Sequence, residues 1–95
     1  MRVRYTPEAR ANLEDIFTYL DERSPAAARS VKEGIVRAIQ RLADYPLVAP
    51  ETDEPGVREL IIVRYPYKVY YQVEQEEVRI VHIRHAARRP WPDRP

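Results

Sequence analysis

Residues Tyr67–His85 read YKVYYQVEQEEVRIVHIRH and indicate the fold of this 95-residue chain more strongly than any other segment. Its two halves, Tyr67–Val73 and Val78–His85, are rich in the tyrosine, valine and isoleucine that β-strands favour, and the polar segment Glu74–Glu77 separates them. Two strands joined by so short a turn pair antiparallel. The second strand has apolar side chains on both faces of its first half, which predicts a position away from the sheet edge.

A first helix is predicted to begin at Thr6 and Pro7. The Thr6 side chain can accept a hydrogen bond from a free backbone N–H group, and proline fits the first helical position. The apolar residues that follow recur at the i, i+3, i+4, i+7 spacing of one helix face, namely Leu13, Ile16, Phe17 and Leu20. This spacing predicts a helix of about four turns.

Ser24 and Pro25 repeat this starting signal directly after the first helix, so the two helices are predicted to form a tight hairpin. The apolar stripe of the second helix comprises Ala28, Val31, Ile35, Ile39 and Leu42. Gly34 costs this helix about 1 kcal/mol relative to alanine, and we expect a close helix crossing to explain its presence. Tyr45-Pro46 is predicted to end the helix.

Two further strands complete the predicted sheet. Arg2–Tyr5 alternates polar and apolar side chains, and Arg58–Arg64 contains a run of apolar residues before Tyr65-Pro66 interrupts it. The predicted fold is therefore α+β, in the order β-α-α-β-β-β, with a two-helix hairpin packed on a mostly antiparallel four-stranded sheet. Residues 1–89 form one domain in this interpretation, and residues 90–95 form an extended, proline-rich tail.

Composition excludes several classes of function. The chain has no cysteine, which rules out disulfides, thiol nucleophiles and cysteine-bound metals. No apolar run resembles a signal peptide or is long enough to span a bilayer, so a cytoplasmic location is expected. Net charge is only +1, yet residues 78–95 carry five arginines against one aspartate. This asymmetry indicates an anionic partner at the C-terminal end, with a solvated tail as the alternative.

The two histidines, His82 and His85, are candidate metal ligands or proton-transfer groups. Side chains alternate along a strand, so an offset of three places them on opposite faces and disfavours a shared metal ion. A role for one of them as a general acid or base stays open. No metal or other cofactor is predicted.

Cationic and aromatic side chains gather on or just beyond the last two strands. The cations are Lys68, Arg84, Arg88 and Arg89, and the rings are Tyr65, Tyr67, Tyr70 and Trp91. Such a combination suits phosphate contact and base stacking, and it suits an acidic protein partner equally well. The alternative is that the tyrosines pack the sheet while the arginines are ordinary surface residues.

The order of elements and four motifs together resemble the RelE/ParE superfamily of bacterial toxins from type II toxin–antitoxin systems. The motifs are Thr6-Pro7-Glu8-Ala9, Arg58-Glu59-Leu60, Tyr67-Lys68-Val69-Tyr70-Tyr71 and the segment from Val78 to Arg88. The resemblance implies one of two activities, because RelE-like members cleave mRNA on the ribosome whereas ParE-like members poison DNA gyrase by binding. It also implies a role in plasmid stabilisation and a cognate antitoxin, partly disordered until it wraps the toxin in a hetero-oligomer.

Within this resemblance, the residues favour the ParE-like branch. Metal-free RNA cleavage needs a group that activates the ribose 2′-OH, an acid for the leaving oxygen and cations for the phosphorane charge. Where RelE-like toxins carry lysines this chain has the apolar run Leu60–Val63, and Lys68 replaces an arginine that binds phosphate better. The alternative, a RelE-like ribosome-dependent mRNA endoribonuclease, would use His85, Arg88, Lys68, Glu59 and Arg64.

The ParE-like interpretation assigns two binding surfaces and no catalytic residue. Residues predicted to bind the target, DNA gyrase, are Lys68, Arg84, His85, Arg88, Arg89 and Trp91. Residues predicted to bind a ParD-like antitoxin are Leu13, Phe17, Leu20 and Tyr70. In this hypothesis the helix hairpin and the sheet present an apolar groove to an amphipathic helix or an added strand of the antitoxin.

Overall fold

Two helices and four strands make up residues 1–86, the part of the chain that the computed structural model describes. Their order is β1 (Arg2–Tyr5), α1 (Pro7–Arg23), α2 (Pro25–Arg41), β2 (Arg58–Ile62), β3 (Tyr67–Glu74) and β4 (Glu77–His85). This order confirms the predicted β-α-α-β-β-β arrangement. Neither of these helices has the length and apolar character needed to cross a bilayer.

Both helices begin at the predicted residues. The Thr6 side chain accepts a hydrogen bond from the Ala9 N–H group at 3.1 Å, and Ser24 accepts one from the Ala27 N–H group at 3.2 Å. Each such cap contributes about 1 kcal/mol to helix stability. Ser24 alone separates the two helices, which confirms the predicted tight hairpin.

The second helix ends earlier than the sequence predicts. Its regular α-helical span stops at Arg41, and the next three N–H groups donate to carbonyls three residues back. Bonds of this 3₁₀ type tighten the last turn of a helix. The expected end at Tyr45-Pro46 is therefore wrong by about one turn.

The four strands form one mixed sheet in the order β1-β4-β3-β2. β4 pairs antiparallel with β3 and parallel with β1, and β3 pairs antiparallel with β2. β4 thus lies inside the sheet, as predicted, while β1 and β2 form its edges. β1 covers only the first half of β4, because it pairs with residues 77–80.

A β-bulge explains why β4 looks apolar on both faces. The register of β3 and β4 shifts beside Tyr70, where Val81 is an extra residue in β4. This shift in the alternation lets Val78, Ile80 and Ile83 share the face toward the helices, where all three are buried in the core. The predicted central position is correct, but its stated reason is wrong, because the pattern marks an irregular strand rather than two apolar faces.

The core lies between the sheet and the helices, and α2 is its principal helix. All five residues of the predicted α2 stripe are buried. In contrast, α1 fully buries only Ala9 and packs Leu13, Ile16 and Leu20 partly against the core. The strands contribute Val69, Tyr71, Val78, Ile80 and Ile83. α2 therefore buries more of its side chains than α1, whereas α1 makes the closer backbone approach to β4 and β1.

Gly34 serves a contact other than the expected helix crossing. A Cβ atom at this position would overlap the ring of Tyr65 and would lie only 2.8 Å from its Cδ2 atom. Tyr65 belongs to the turn between β2 and β3. The prediction of a close helix crossing is therefore wrong, because the glycine makes room for a ring that docks this turn onto α2.

One buried hydroxyl group holds the loop between α2 and β2. The Tyr71 OH donates a hydrogen bond to the Pro46 carbonyl at 2.8 Å and accepts one from the Ala49 N–H group at 3.4 Å. The Arg58 guanidinium donates to the Ala49 carbonyl at 2.6 Å. Burial raises the pKa of Tyr71, an effect that the hydrogen bond from Ala49 and the charge of Arg58 partly oppose. These hydrogen bonds hold the loop between α2 and β2 against strands β2 and β3.

Candidate functional site

The sheet rim is the end of the sheet where β3 begins and β4 ends, and it carries Lys68, Arg84 and His85. Lys68 and Arg84 are direct partners in the register, so their side chains share one face. That face is turned away from the helices, because the adjacent pair, Val69 and Ile83, points into the core. Like charges placed directly opposite each other destabilise a sheet, so this pair favours a nearby anion.

One anion is already present beside this pair. Glu59 of β2 lies on the same face, with its Oε2 atom 3.8 Å from Lys68 Nζ. Both side chains are less than a quarter exposed. The carboxylate therefore offsets part of the positive charge that the sequence predicts for Lys68.

Two further ion pairs lie on the same sheet face. Arg4 of β1 pairs with Glu77 of β4 at 3.0 Å, and Arg79 of β4 pairs with Glu74 of β3. Each pair joins neighbouring strands or the two ends of one turn. The face away from the helices is therefore less cationic than its count of arginines indicates.

His85 lies on the other face of the sheet from Lys68 and Arg84. It pairs in register with Tyr67, and the two rings meet edge to face with centroids 5.4 Å apart. Burial raises the pKa of Tyr67, and the nearby Tyr19 phenol raises it further. The described members of the predicted target-binding set thus share one end of the sheet but not one face.

The end of β4 is tied to the β2–β3 turn. The Ala86 N–H group donates a hydrogen bond to the Pro66 carbonyl at 2.6 Å. This bond joins the last described residue to the β2–β3 turn. The other predicted target-binding residues, Arg88, Arg89 and Trp91, lie outside the described residues.

The predicted ribonuclease set is not assembled into one pocket within residues 1–86. Glu59 lies on the face turned away from the helices, whereas His85 lies on the opposite face. Arg64 sits in the β2–β3 turn, with its guanidinium 5.6 Å from the centroid of the Tyr65 ring. General acid–base catalysis requires both proton-transfer groups within hydrogen-bonding reach of one substrate, which this placement of Glu59 and His85 does not provide. Arg88, another member, lies outside the described residues.

Residues in and next to α1 form hydrogen bonds with the second half of β4, the part that does not pair with β1. The Ile83 N–H group donates to Asn12 Oδ1 at 3.0 Å, and the Thr6 hydroxyl donates to the Val81 carbonyl at 3.4 Å. Sequence analysis missed this contact, because 71 residues separate Asn12 from Ile83. Thr6 therefore caps a helix and binds a strand edge at the same time.

His82 lies at this same edge. Its Nδ1 atom is 3.4 Å from Glu8 Oε2, and its register partner is Tyr70. His82 and His85 lie on opposite sheet faces, as the strand alternation predicts. Within the described residues, no three histidine, aspartate or glutamate side chains are grouped as a metal site requires.

The four predicted antitoxin-binding residues do not form one surface. Leu13 and Leu20 are half-buried against the core. Phe17 is half-buried beneath the Lys32 ammonium, which lies 5.4 Å from its ring centroid. Tyr70 is 1% exposed and lies on the sheet face away from the helices. Tyr70 therefore lies on a different face from the three α1 residues, and its contact with the antitoxin stays a prediction.

A second surface that sequence analysis missed lies between α2 and the outer edge of β2. We call this cavity of about 610 Å³ the outer groove. Its apolar lining includes Ala38, Leu42, Leu60, Ile62 and Tyr65, and its cationic lining consists of Arg37, Arg41 and Arg64. Within residues 1–86, none of these three arginines makes an ion pair. The sequence signal was the apolar run Leu60–Val63, which is longer than an alternating edge strand requires.

Comparison with known proteins identifies the family. The model of the ParE toxin of the type II toxin–antitoxin system parDE matches residues 3–90. The chain belongs to the ParE toxin family. This ParE-family chain is therefore a toxin of a type II toxin–antitoxin system, as the sequence motifs indicated.

Individual relatives agree with this family over nearly the whole ParE-family chain. It is 32% identical over 91 residues to the protein Y4kP of Sinorhizobium fredii, covering 96% of this chain and 93% of that protein. It is 39% identical over 90 residues to Toxin RelE2 of Caulobacter vibrioides, covering 92% and 97%. A solved structure of the chromosomal ParDE system from P. aeruginosa superposes with a TM-score of 0.79 at 26% identity, covering 90% of this chain and 95% of that one.

Proposed function

We propose that this ParE-family toxin inhibits DNA gyrase by binding and that a cognate ParD-like antitoxin neutralises it in a cytoplasmic hetero-oligomer. The observation that carries the proposal is the separation of Glu59 and His85 on the two faces of the sheet. This separation supports binding over cleavage, because a general acid and a general base must both reach one bound phosphodiester, and groups on opposite faces of a sheet do not. The proposal includes a role in plasmid stabilisation, which the resemblance to this toxin family implies.

The proposed target-binding surface is the sheet rim, and Arg88, Arg89 and Trp91, which lie outside the described residues, are proposed to contribute to the same contact. Lys68 and Arg84 supply adjacent positive charges on one face, and His85 with Tyr67 supplies rings on the other. Arg88, Arg89 and Trp91 continue the same chemistry along the chain. Such a surface suits an acidic patch of gyrase or the DNA that gyrase holds.

A gyrase supercoiling assay with purified toxin tests this proposal. We expect loss of supercoiling and a trapped cleavage complex. The double variant Lys68→Ala/Arg84→Ala should inhibit at least about tenfold less well, because truncating charged contacts of an interface costs several kcal/mol. Arg29→Ala, which removes an exposed arginine from α2, is the matched control and should inhibit like the unaltered toxin. Folded toxin that neither inhibits gyrase nor traps the complex would contradict the proposal.

One observation favours a second candidate function. The relative with 39% identity bears the name Toxin RelE2, so ribosome-dependent mRNA cleavage by His85, Arg88, Lys68, Glu59 and Arg64 is the alternative. Cleavage of mRNA in a translating extract would support it. Within that alternative, His85→Ala should abolish cleavage without unfolding the protein, and unchanged cleavage would remove His85 from the mechanism.

The proposed antitoxin contact includes the α1 residues Leu13, Phe17 and Leu20, each of which keeps part of its side chain at the surface. The natural probe is the purified product of the small open reading frame beside the toxin gene. We expect it to co-purify with the toxin and to restore gyrase activity. Failure to form a stable complex would contradict the antitoxin part of the proposal while leaving the gyrase assay to decide the target.

A further inference from the structure

Three arginines of the outer groove carry charges that no ion pair within residues 1–86 offsets. Arg37 and Arg41 line the groove from α2, and Arg64 lines it from the β2–β3 turn. Arg37 and Arg41 stand one turn apart on one helix face, a spacing at which like charges destabilise a helix. Among the described residues that line the groove, Glu33 is the single acid. The groove therefore favours an anion that contacts more than one guanidinium group.

The outer groove has the size and the rings of a small-molecule site. Its volume of about 610 Å³ lies within the range of about 300–1,000 Å³ that ligand pockets occupy. Two aromatic rings line it: Tyr45 is 66% exposed, and the centroid of the Tyr65 ring lies 5.6 Å from the Arg64 guanidinium. Exposed aromatic faces bind planar groups by stacking. The groove therefore combines cations that suit phosphate with rings that suit a planar group.

The adjoining edge of β2 presents one open hydrogen-bond donor and one open acceptor. The Glu59 N–H group donates to the Pro50 carbonyl at 3.0 Å, on the side away from β3. Backbone groups alternate along a strand, so the N–H and C=O of Ile61 face this same side. Within residues 1–86 no hydrogen bond reaches these two groups of Ile61, which lines the groove and is 56% exposed. A ligand edge that carries an acceptor beside a donor would satisfy both groups.

We infer that the outer groove binds an adenine nucleotide that carries a diphosphate. The phosphates contact Arg37, Arg41 and Arg64, because each guanidinium group can form two parallel hydrogen bonds with phosphate oxygens. The adenine N7 atom accepts a hydrogen bond from the Ile61 N–H group, and the N6 amino group donates one to the Ile61 carbonyl. The site needs neither gyrase nor an antitoxin, so its test is independent of both proposals.

Titration calorimetry of the purified toxin with ADP, inorganic pyrophosphate and adenosine, without magnesium, tests the whole site. Pyrophosphate lacks the base and adenosine lacks the phosphates, whereas ADP joins both parts of the ligand. We expect ADP to bind with a Kd below about 100 µM and at least about tenfold more tightly than either fragment. A Kd above that value, or a smaller advantage over either fragment, would overturn the inference.

Substitution of the arginines locates the phosphate contacts. Arg37→Ala/Arg41→Ala should weaken ADP binding at least about tenfold, because it removes most of the guanidinium groups that face the phosphates. Arg10→Ala/Arg29→Ala removes the same total charge from exposed helix positions outside the groove lining and is the matched control. This control should change ADP binding by less than about threefold. Equal losses from the two variants would show an effect of overall charge and would overturn the inference.

The sheet rim is the other cationic surface to which a phosphate could bind. The variant Lys68→Ala/Arg84→Ala removes its paired charges. A loss of ADP binding smaller than that of the groove variant is expected, because the rim lacks the open edge of β2. An equal or larger loss would place ADP at the rim and would overturn the inference.

Two substitutions at Ile61 test recognition of the base. Ile61→Pro removes the outward N–H donor, whereas Ile61→Val keeps the donor and an apolar side chain. Because the N–H group faces away from β3, proline is compatible with this edge position. We expect the proline variant to bind ADP at least about fivefold less tightly and to bind pyrophosphate within about twofold of the unaltered toxin. Equal ADP binding by the two folded variants, or an equal loss of ADP and pyrophosphate binding, would overturn the inference.

Hydrogen exchange on the unaltered toxin gives a further measurement that needs no variant to fold. The amide of Ile61 should exchange at least about threefold more slowly with saturating ADP than with saturating pyrophosphate, because only the base accepts its hydrogen. Equal exchange rates with the two ligands would overturn the inference.

Discussion

The sheet rim and the outer groove both gather cations, but the fold leaves their charges in different states. At the rim, Lys68 lies opposite Arg84 and has Glu59 within 3.8 Å. In the groove, Arg37 and Arg41 make no ion pair within residues 1–86 and stand beside an open strand edge. Whether a charged side chain can bind a partner therefore depends on which neighbouring residues the fold places beside it. Counting arginines along the chain does not reveal it.

We expect alkaline pH to destabilise both the sheet rim and the region of the outer groove. This loss of stability should exceed the effect of each substitution described below. Burial raises the pKa of Tyr67 at the rim and of Tyr71 beneath the loop beside the groove above the ordinary value of 10.0. Above that pH the unfolded chain loses phenolic protons that the folded protein keeps, so the free energy of unfolding falls as pH rises. Each tyrosine contributes a loss of up to about 1.4 kcal/mol per pH unit until its folded pKa is reached.

Urea unfolding between about pH 8 and about pH 11 checks this expectation. Tyr71→Phe should make the decline shallower, whereas Tyr45→Phe, which alters an exposed ring, should leave its slope unchanged. Stability that stays constant across this range would contradict the assigned burial of both phenols.

Tyr71→Phe should loosen the groove region while leaving the rim in place. The change removes a hydroxyl that bonds Pro46 and Ala49, and it leaves a buried carbonyl and N–H group without that partner. We expect a loss of about 2 kcal/mol in the free energy of unfolding. The measurement is urea denaturation, with limited proteolysis of residues 45–50 as a local readout. A loss equal to that of the exposed Tyr45→Phe control would contradict this role.

A double-mutant cycle on Gly34 and Tyr65 measures how strongly the Tyr65 ring opposes a side chain at position 34. In a Tyr65→Ala background, Gly34→Ala should stabilise the protein by about 1 kcal/mol, as expected for a helix interior. With Tyr65 present, the new Cβ overlaps the ring and should cancel that gain. The coupling should be about 1–2 kcal/mol in thermal or chemical unfolding. An equal effect of Gly34→Ala in both backgrounds would show that the ring yields without cost.

Glu59→Gln tests the rim and should have the smallest effect. It removes the carboxylate beside Lys68 and leaves that ammonium opposite Arg84. We expect a loss of about 0.5–1 kcal/mol that grows at low salt, because screening weakens repulsion between like charges. Asp21→Asn on the exposed side of α1 is the control. A gain in stability would mean that Glu59 does not offset the charge of the cationic pair.

Local patterns predict most of the fold because their physics is short-ranged. Thr6 and Ser24 start helices through hydrogen bonds to residues three positions later, and the α2 stripe follows from helical periodicity. The short polar turn before β4 makes its pairing with β3 antiparallel. The family motifs lie within these same elements, so fold and family could be predicted together.

The amino-acid sequence alone therefore predicts the order of elements, the hairpin, the buried stripe and the toxin family. Tertiary contacts were needed to show that a bulge at Val81 gives β4 one apolar face, that Gly34 accommodates Tyr65, and that Lys68 and Arg84 lie on the sheet face turned away from the helices. The outer groove also exists only after α2 and β2 are placed side by side. The reason is that these features depend on register and on contacts between residues far apart in the chain, which no local pattern encodes.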